Sequence, residues 1–276
     1  MEVAMMAFRI GGFGGSQIEH KELTPTYEPP ATTAPRKSLV QVRFPGRGIA
    51  LSYYNDQFDL KKGDLVYVDG KLEGQLGRIT EVNYNFKIKV SDYKKVIAVV
   101  DTEVHGKFFM AGSHFVAFDP STIPAEQIVR WFRAPPKEDE EYVSGNDETT
   151  FRLDDLKGMN ISNAIVERGH EYYIENRVRY LCVNNGHGIA IVEGTESYVV
   201  EFEYRNGEIG HLICECPCSY TCKHEFAAML QLRETLENID KHYSESYERT
   251  GYFAAINKGT LFAFAIDSKE TGHFAL

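Results

Sequence analysis

The residues of this chain that could do chemistry are concentrated in one short stretch, "CECPCSYTCKHEFAAML", at positions 214–230. The stretch holds four of the five cysteines of the chain and one of its histidines. Thiolate and imidazole groups are the ligands of structural zinc sites. Cysteines as close as C-x-C cannot easily be bridged to one another by a disulfide, so the cluster indicates metal binding.

The spacing of these residues limits which side chains can meet at one ion. Two cysteines of a C-x-C pair point to opposite faces of a strand, and on a helix they are rotated apart by about 200°. The chain must therefore bend near Pro217, with the third cysteine before a helix and the histidine in its first turn. The predicted ligands of one structural Zn2+ are Cys214, Cys216, Cys222 and His224. Such a set leaves no open coordination position, so no catalytic residue is predicted there.

Two cysteines are left outside this set. Cys218 could replace Cys216 as a ligand, could be a reactive thiol beside the site, or could be a surface residue that binds nothing. Cys182, in "VRYLCVNNG", is predicted to be a buried free thiol in a strand.

The pattern around the cluster resembles the SWIM zinc finger family. The resemblance rests on C-x-C-P, a gap of five residues to the third cysteine, and C-K-H at the start of an alanine-containing helix. It extends upstream to "AIVERGHEYYIENRVRYL" and "AIVEGTESYVVEFEY", so that it covers about residues 161–234. The gap before Cys222 is at the short end of the family's range. The resemblance implies zinc and the binding of nucleic acid or protein, because SWIM modules occur in helicase-type chromatin remodellers, transposase-related proteins and ubiquitin ligases.

The sequence around this site predicts a mainly β protein with short helices (α+β), which contains two folded domains. Residues 1–38 are rich in Gly, Pro and Thr and predict a flexible N-terminal arm. Short runs with period-two alternation follow, which predict a small β-barrel domain at 39–134 with one helix near 125–132. An acidic linker is predicted at 135–157. The zinc finger domain at 158–276 is predicted as an antiparallel sheet closed by a helix, with "YFAAINKGTLFAFAI" as a C-terminal hairpin.

Charge is unevenly distributed along the 276 residues, whose net charge is −10. Residues 36–100 carry twelve Lys/Arg and seven Asp/Glu, whereas residues 158–234 carry six and eleven. Because phosphate groups are bound by local cationic side chains, any contact with nucleic acid is expected in the front half. Ordinary solvated faces are the alternative interpretation.

A second, weaker resemblance also favours nucleic-acid binding by the front half. The segment "KKGDLVYVDGKLEGQLGRITEV", at 61–82, resembles the KOW motif of SH3-like barrels but is one residue shorter. If this domain binds nucleic acid, Tyr53, Tyr54, Tyr84 and Phe86 are the stacking candidates. The candidates for phosphate contact are Arg43, Arg47, Lys61, Lys62, Lys71, Arg78, Lys87 and Lys89, followed by Lys94 and Lys95.

The function predicted from these features is that of a non-enzymatic adaptor that binds protein, DNA or RNA. The alternatives are a structural component of a larger complex, or an enzyme acting on nucleic acid or a small molecule, with His105, His114, Asp101 and Asp119 as catalytic candidates. No run of eighteen apolar residues and no secretory signal is present, which predicts a cytoplasmic protein without a membrane partner.

Overall fold

The computed structural model describes residues 34–137 and 149–266, which form two antiparallel sheets and a few helices. This agrees with the expected α+β class. The strands are β1 (Ser38–Arg43), β2 (Leu51–Asn55), β3 (Leu65–Val68), β4 (Gly77–Asn83), β5 (Val96–Val100), β6 (Phe109–Ala111), β7 (His114–Ala117), β8 (Phe151–Arg152), β9 (Val178–Asn184), β10 (His187–Glu193), β11 (Ser197–Arg205), β12 (Glu208–Cys214) and β13 (Tyr252–Asn257). The helices are α1 (Ala125–Phe132), α2 (Asn163–Ile174), α3 (Lys223–Thr250) and the single turn α4 (Lys258–Leu261).

The first five strands form an open sheet in the order β2-β1-β4-β3-β5. One face of this sheet buries an apolar cluster that includes Val40, Val42 and Ile79. An isolated bridge joins Tyr54 to Lys95 near the two edge strands, but no ladder closes the sheet among the described residues. The predicted closed barrel is therefore wrong, because one bridge between the edges does not make a continuous hydrogen-bonded ladder.

The other eight strands form a second sheet in the order β6-β7-β13-β9-β10-β11-β12-β8. The paired strands that are farthest apart in sequence are β7 and β13. Strand β13 lies between β7 and β9, with Ile256 opposite both Phe115 and Tyr180. Strands β6 and β7 therefore pair with the C-terminal part of the chain and not with the five-stranded sheet, although sequence reasoning assigned them to the barrel segment.

One face of the eight-stranded sheet is covered by α3. The shared core includes Leu181 and Val183 from β9 and Met229 and Leu232 from α3. Helix α2 packs against α3 so closely that a Cβ added to Gly169 would lie 3.0 Å from the carbonyl oxygen of Lys223. The helix predicted after the cysteines thus covers the sheet that carries them.

The opposite face of the same sheet meets the front half of the chain. Tyr180 and Cys182, which alternate with the residues of the first core, pack in one cluster with Trp131 of α1 and Tyr67 of β3. The Trp131 indole N–H also donates to the Asp101 carbonyl at 2.6 Å. Both faces of the central strands are therefore buried, and the two sheets share a core. Cys182 is buried and free, as the sequence predicts.

Two Asn-Gly pairs form tight turns between strands of the second sheet. Asn185 and Gly186 join β9 to β10, and Asn206 and Gly207 join β11 to β12, all with positive φ. Asn and Gly tolerate this left-handed conformation better than other residues, which is why these pairs mark two-residue hairpins.

The predicted C-terminal hairpin is not formed. The first apolar run forms β13, but Asn257 then caps a helical turn, accepting a hydrogen bond from the Thr260 amide at 3.3 Å. A π-type turn, Phe262–Ile266, continues from it. An asparagine side chain that caps the next amides favours a helix start over a two-residue hairpin turn.

The predicted arm and linker lie partly outside the described residues, which begin at 34 and omit 138–148 and 267–276. Ser38, at the end of the predicted arm, is buried and begins β1. The end of the predicted linker also contributes to the core, because Phe151, Leu153 and Leu156 are buried and β8 pairs with β12. Among the described residues, no helix is long and apolar enough to cross a bilayer.

Candidate metal centre

The first two predicted ligands lie where β12 leaves the sheet. Strand β12 ends at Cys214, and the next amide, that of Glu215, still donates to the Val199 carbonyl at 3.1 Å. Pro217, two residues later, has no amide hydrogen and cannot extend the ladder. Cys214 and Cys216 therefore lie on a bend of the chain, as their spacing requires.

The other two predicted ligands lie at the start of α3. Cys222 is the N-cap residue, with extended backbone angles, and His224 is in the first turn. The Glu225 carboxylate accepts a hydrogen bond from the Cys222 amide, as in a capping box. This contact fixes where the helix begins and so holds Cys222 and His224 at the same end of it.

The four ligand atoms, one from each side chain, all lie within 4.8 Å of one another. Nδ1 of His224 is 3.7 Å from Sγ of Cys214 and 3.6 Å from Sγ of Cys222. A tetrahedral zinc ion with bonds of about 2.3 Å to sulfur and about 2.0–2.1 Å to nitrogen separates such atoms by about 3.6 Å. The spacing of these side chains is therefore compatible with a metal ion, and among the described residues no other group of His, Cys, Asp or Glu side chains converges in this way.

Aromatic rings enclose the histidine of this group. The Tyr198 ring stacks on the His224 imidazole with centroids 4.6 Å apart, and the Tyr172 ring lies at 5.4 Å. The His224 Nε2 atom is buried without a hydrogen-bond partner among the described residues. Ring packing and the direction of Nδ1 toward the sulfurs thus define the orientation of the imidazole.

Burial contributes to shifted pKa values of three side chains of this group, Cys216, Cys222 and His224. It raises the pKa of Cys216 to about 12, and the Cys214 side chain together with burial raises the pKa of Cys222. Burial, assisted by the charge of Lys223, lowers the pKa of His224 to about 4. Near neutral pH a metal ion would displace protons from these thiols, whereas the imidazole is already neutral and able to bind.

Cys218 lies outside the convergent group. It is exposed, while Cys216 and Cys222 are buried, and its backbone amide donates a hydrogen bond to the Cys216 sulfur. Amide donors of this kind stabilise a thiolate, and therefore support the neighbouring ligand. The geometry thus favours Cys216 over Cys218 as the second ligand.

Several neighbours of the site were not identified from the sequence. The Lys223 ammonium lies 4.4 Å from the centre of the Tyr172 ring, and the Arg177 guanidinium lies 4.6 Å from the same ring. Glu215, between two of the candidate ligands, forms an ion pair with Arg133, the residue that follows α1. Residues far apart in sequence form these contacts, so no local pattern could have indicated them.

The eight basic residues predicted to contact nucleic acid border the five-stranded sheet but do not form one cluster. Seven are exposed and Arg78 is half-buried. One group lies where β1 ends and where β3 and β4 begin; it comprises Arg43, Arg47, Lys61, Lys62 and Arg78. The remaining residues follow β3 or β4 and are Lys71, Lys87 and Lys89. Of the two further candidates, Lys94 is exposed and Lys95 pairs with Asp56 at 2.9 Å.

The aromatic candidates for base stacking divide by burial. Tyr53 and Tyr54 are each 5 % exposed and cannot stack on a ligand. Phe86 is half-buried against Tyr54, whereas Tyr84 is exposed and has the Arg36 guanidinium 4.1 Å from its ring centre. Of these residues, Tyr84 is the most accessible.

The alternative enzyme hypothesis depends on four side chains, His105, His114, Asp101 and Asp119. His114 is fully buried, with Nε2 2.8 Å from the Val178 carbonyl and Nδ1 3.0 Å from Ser113 Oγ. A carbonyl can only accept, so Nε2 donates, and neither nitrogen contacts a carboxylate. His114 therefore joins β7 to β9, while the other three candidates are exposed.

Comparisons with known proteins give little further information. No protein-family model matches the chain. An uncharacterized protein of Methanocaldococcus jannaschii is similar, with 35 % identity over 80 residues, which is 29 % of this chain and 32 % of that protein. The chain thus matches about a third of the length of this relative. No solved structure matches.

Proposed function

We propose that this protein is a zinc-dependent recognition adaptor, in which Cys214, Cys216, Cys222 and His224 bind one structural Zn2+. The observation that carries the proposal is the convergence of four ligand atoms to within 4.8 Å. Three thiols and one imidazole form a soft ligand set, which favours zinc over magnesium or calcium.

The proposed role of the ion is to join two elements rather than to bind a substrate. Four protein ligands complete a tetrahedron and leave no position for water. Cys216, Cys222 and His224 are buried. The ion would hold the end of β12 against the start of α3, so the recognition surface is expected around the site and not at the metal.

Two features of the sequence support recognition as the function. The SWIM resemblance over about residues 161–234 implies binding of nucleic acid or protein. The front of the chain carries the positive charge, with twelve basic and seven acidic side chains in residues 36–100. We therefore propose that the five-stranded sheet contacts nucleic acid while the metal module stabilises the second half and offers a surface to a protein partner.

The test of the metal proposal is zinc content measured on the full-length chain. We expect about one zinc per chain in the purified protein. Cys216→Ser should lose the ion on dialysis against a chelator and should unfold at a lower denaturant concentration. Cys218→Ser is the matched control, two residues away and exposed, and should keep both the zinc and the stability.

The two variants separate the possible outcomes. Loss of zinc from Cys218→Ser but not from Cys216→Ser would show that the ligand assignment is wrong. Zinc-free purified protein that does not take up added zinc would overturn the metal proposal as a whole.

A further inference from the structure

Five basic residues from three separate segments lie at one end of the five-stranded sheet. Strand β1 ends there and strands β3 and β4 begin there, so the β1–β2 connection and the turn before β3 are neighbours. The Gly63 amide donates to the Ile79 carbonyl at 2.8 Å, which attaches that turn to β4. We call this cluster the arginine end; its members are Arg43, Arg47, Lys61, Lys62 and Arg78.

Two arginines of the arginine end are direct neighbours across the ladder. Arg43 of β1 and Arg78 of β4 are paired in register, and both alternate with buried residues, Val42 and Ile79. Their side chains therefore lie on the face opposite the cluster of Val42 and Ile79, the same face as Leu65, which pairs with Arg78. Two guanidinium groups thus lie on the same face of neighbouring strands, where one extended polyanion can contact both.

The Arg78 side chain is also held in place by the neighbouring turn. Its Nη1 donates to the Gly63 carbonyl at 3.0 Å, which holds the guanidinium at the turn that follows Lys61 and Lys62. The β2–β3 connection also holds three acidic side chains, Asp56, which pairs with Lys95, Asp59 and Asp64. One carboxylate oxygen of Asp64 accepts the Lys61 amide at 2.7 Å, so this residue has a role in the turn.

The connection from β1 to β2 projects from this end into solvent. Ile49 is 69 % exposed, and Cβ atoms added to Gly46 or Gly48 would meet no atom within 4 Å. Arg47 lies between these glycines and is exposed. An exposed isoleucine two residues after an exposed arginine combines an apolar contact with phosphate-binding charge, as in proteins that place apolar side chains against bases.

Two other cations of the front half have acidic partners. Lys89 is 3.8 Å from Asp92, and Lys95 is 2.9 Å from Asp56. In contrast, neither Arg43 nor Arg47 forms an ion pair with a described acidic residue. These two arginines can therefore bind an external anion without breaking an internal contact.

We propose that the arginine end is the nucleic-acid site of this protein, with its guanidinium groups on the phosphodiester backbone and Ile49 against the bases or sugars. This inference rests on the nucleic-acid contact of the proposed function and names the surface that makes it. Arginine presents a planar fork that matches phosphate oxygens, and several such groups spread over three segments suit an extended polyanion. An acidic protein is the competing partner.

The experiment measures binding of fluorescent single-stranded and duplex oligonucleotides to the full chain across a salt series. The test variant carries Arg43→Gln and Arg47→Gln, whose side chains support no described ion pair. The matched control carries Lys157→Gln and Lys241→Gln, an equal change of charge at exposed positions outside the five-stranded sheet. Circular dichroism and zinc content confirm that each variant is folded.

We expect the arginine variant to lose affinity on the order of tenfold or more at 0.1 M salt. Its slope of log affinity against log salt should fall by about 1.8 for duplex or about 1.4 for a single strand, for two lost phosphate contacts. The lysine control should bind nearly as the parent does. Ile49→Ala should weaken binding without changing the slope, because an apolar contact releases no counterions.

The outcomes distinguish this inference from the proposed function. Equal losses in the arginine and lysine variants would show diffuse attraction and overturn the arginine end as a site, while nucleic-acid binding itself would stand. Absence of binding by the parent protein at low salt would remove the nucleic-acid function as well. Equal affinity for polyglutamate and for oligonucleotide would favour an acidic protein partner and refute the inference.

Discussion

At the scale of single residues, the candidate metal site depends on side chains that are not ligands. The Tyr198 ring stacks on His224 at 4.6 Å with an interplanar angle of 27°. A Cβ added to Gly194 would lie 2.9 Å from that tyrosine ring and 3.1 Å from His224 Nε2. Ring and imidazole therefore fill one tight space, and Tyr198 acts as a positioning residue for the histidine.

Removal of the Tyr198 ring tests this role. Tyr198→Ala should weaken zinc binding by about tenfold, as is typical when groups that orient metal ligands are removed. The measurement is competition for zinc with a chromophoric chelator. Tyr220→Ala is the control, because Tyr220 belongs to the same loop as the cysteines but is 69 % exposed. Equal zinc affinity of the two variants would refute the positioning role.

At the scale of elements, the site requires α2, α3 and the end of β12 to meet closely. Helix α2 approaches α3 at Gly169, where an added Cβ would lie 2.8 Å from Phe226 Cδ1 and 3.0 Å from the Lys223 carbonyl oxygen. The backbone carbonyl cannot move without moving the helix start that carries His224. This glycine therefore sets the distance between the two helices.

Gly169→Ala should destabilise the protein by about 1–3 kcal/mol through overpacking at this contact. At an exposed helical position the same change would stabilise by about 0.5–1 kcal/mol, so even the sign of the effect is informative. Chemical denaturation measures the free energy of unfolding. Glu167→Ala, at an exposed position of the same helix, is the control and should change stability by less than about 0.5 kcal/mol. A stabilised Gly169→Ala protein would show that the helix contact is loose.

At the scale of the whole molecule, the described halves of the chain share structure. Strands β6 and β7 come from the front half and pair with each other. Strand β7 also pairs with β13, which comes from the C-terminal part of the chain. Trp131 links α1, the five-stranded sheet and the back of the eight-stranded sheet in one apolar cluster, and it stacks on Phe264 at 4.9 Å. A fragment that ends at residue 118 would therefore lack the strand that β7 pairs with.

Trp131→Ala should lower the free energy of unfolding by about 3–5 kcal/mol, because the indole is 1 % exposed and leaves a large cavity. We expect one cooperative transition that shifts as a whole when unfolding is measured by circular dichroism in the far and near ultraviolet. Ile174→Ala, at a position 61 % exposed, should have almost no effect. Two separate transitions, of which the variant shifts one, would show that the halves unfold independently.

The sequence by itself determined the parts of this protein that depend on neighbouring residues. The four candidate ligands lie within the short range 214–224, so a bend at Pro217 and a helix start at Cys222 were enough to predict that they converge. The helix Ala125–Phe132 and the two Asn-Gly turns were predictable for the same reason, because backbone preference and capping act locally.

The tertiary structure alone decided which distant segments meet. Pairing between strands far apart in sequence determines three features. These are the place of β13 between β7 and β9, the open edge of the five-stranded sheet and the pairing of Arg43 with Arg78. Period-two alternation shows which side chains share a face but not which strand lies beside it. The candidate metal site was therefore legible from the sequence, whereas the arginine end became visible only when three separate segments were placed together.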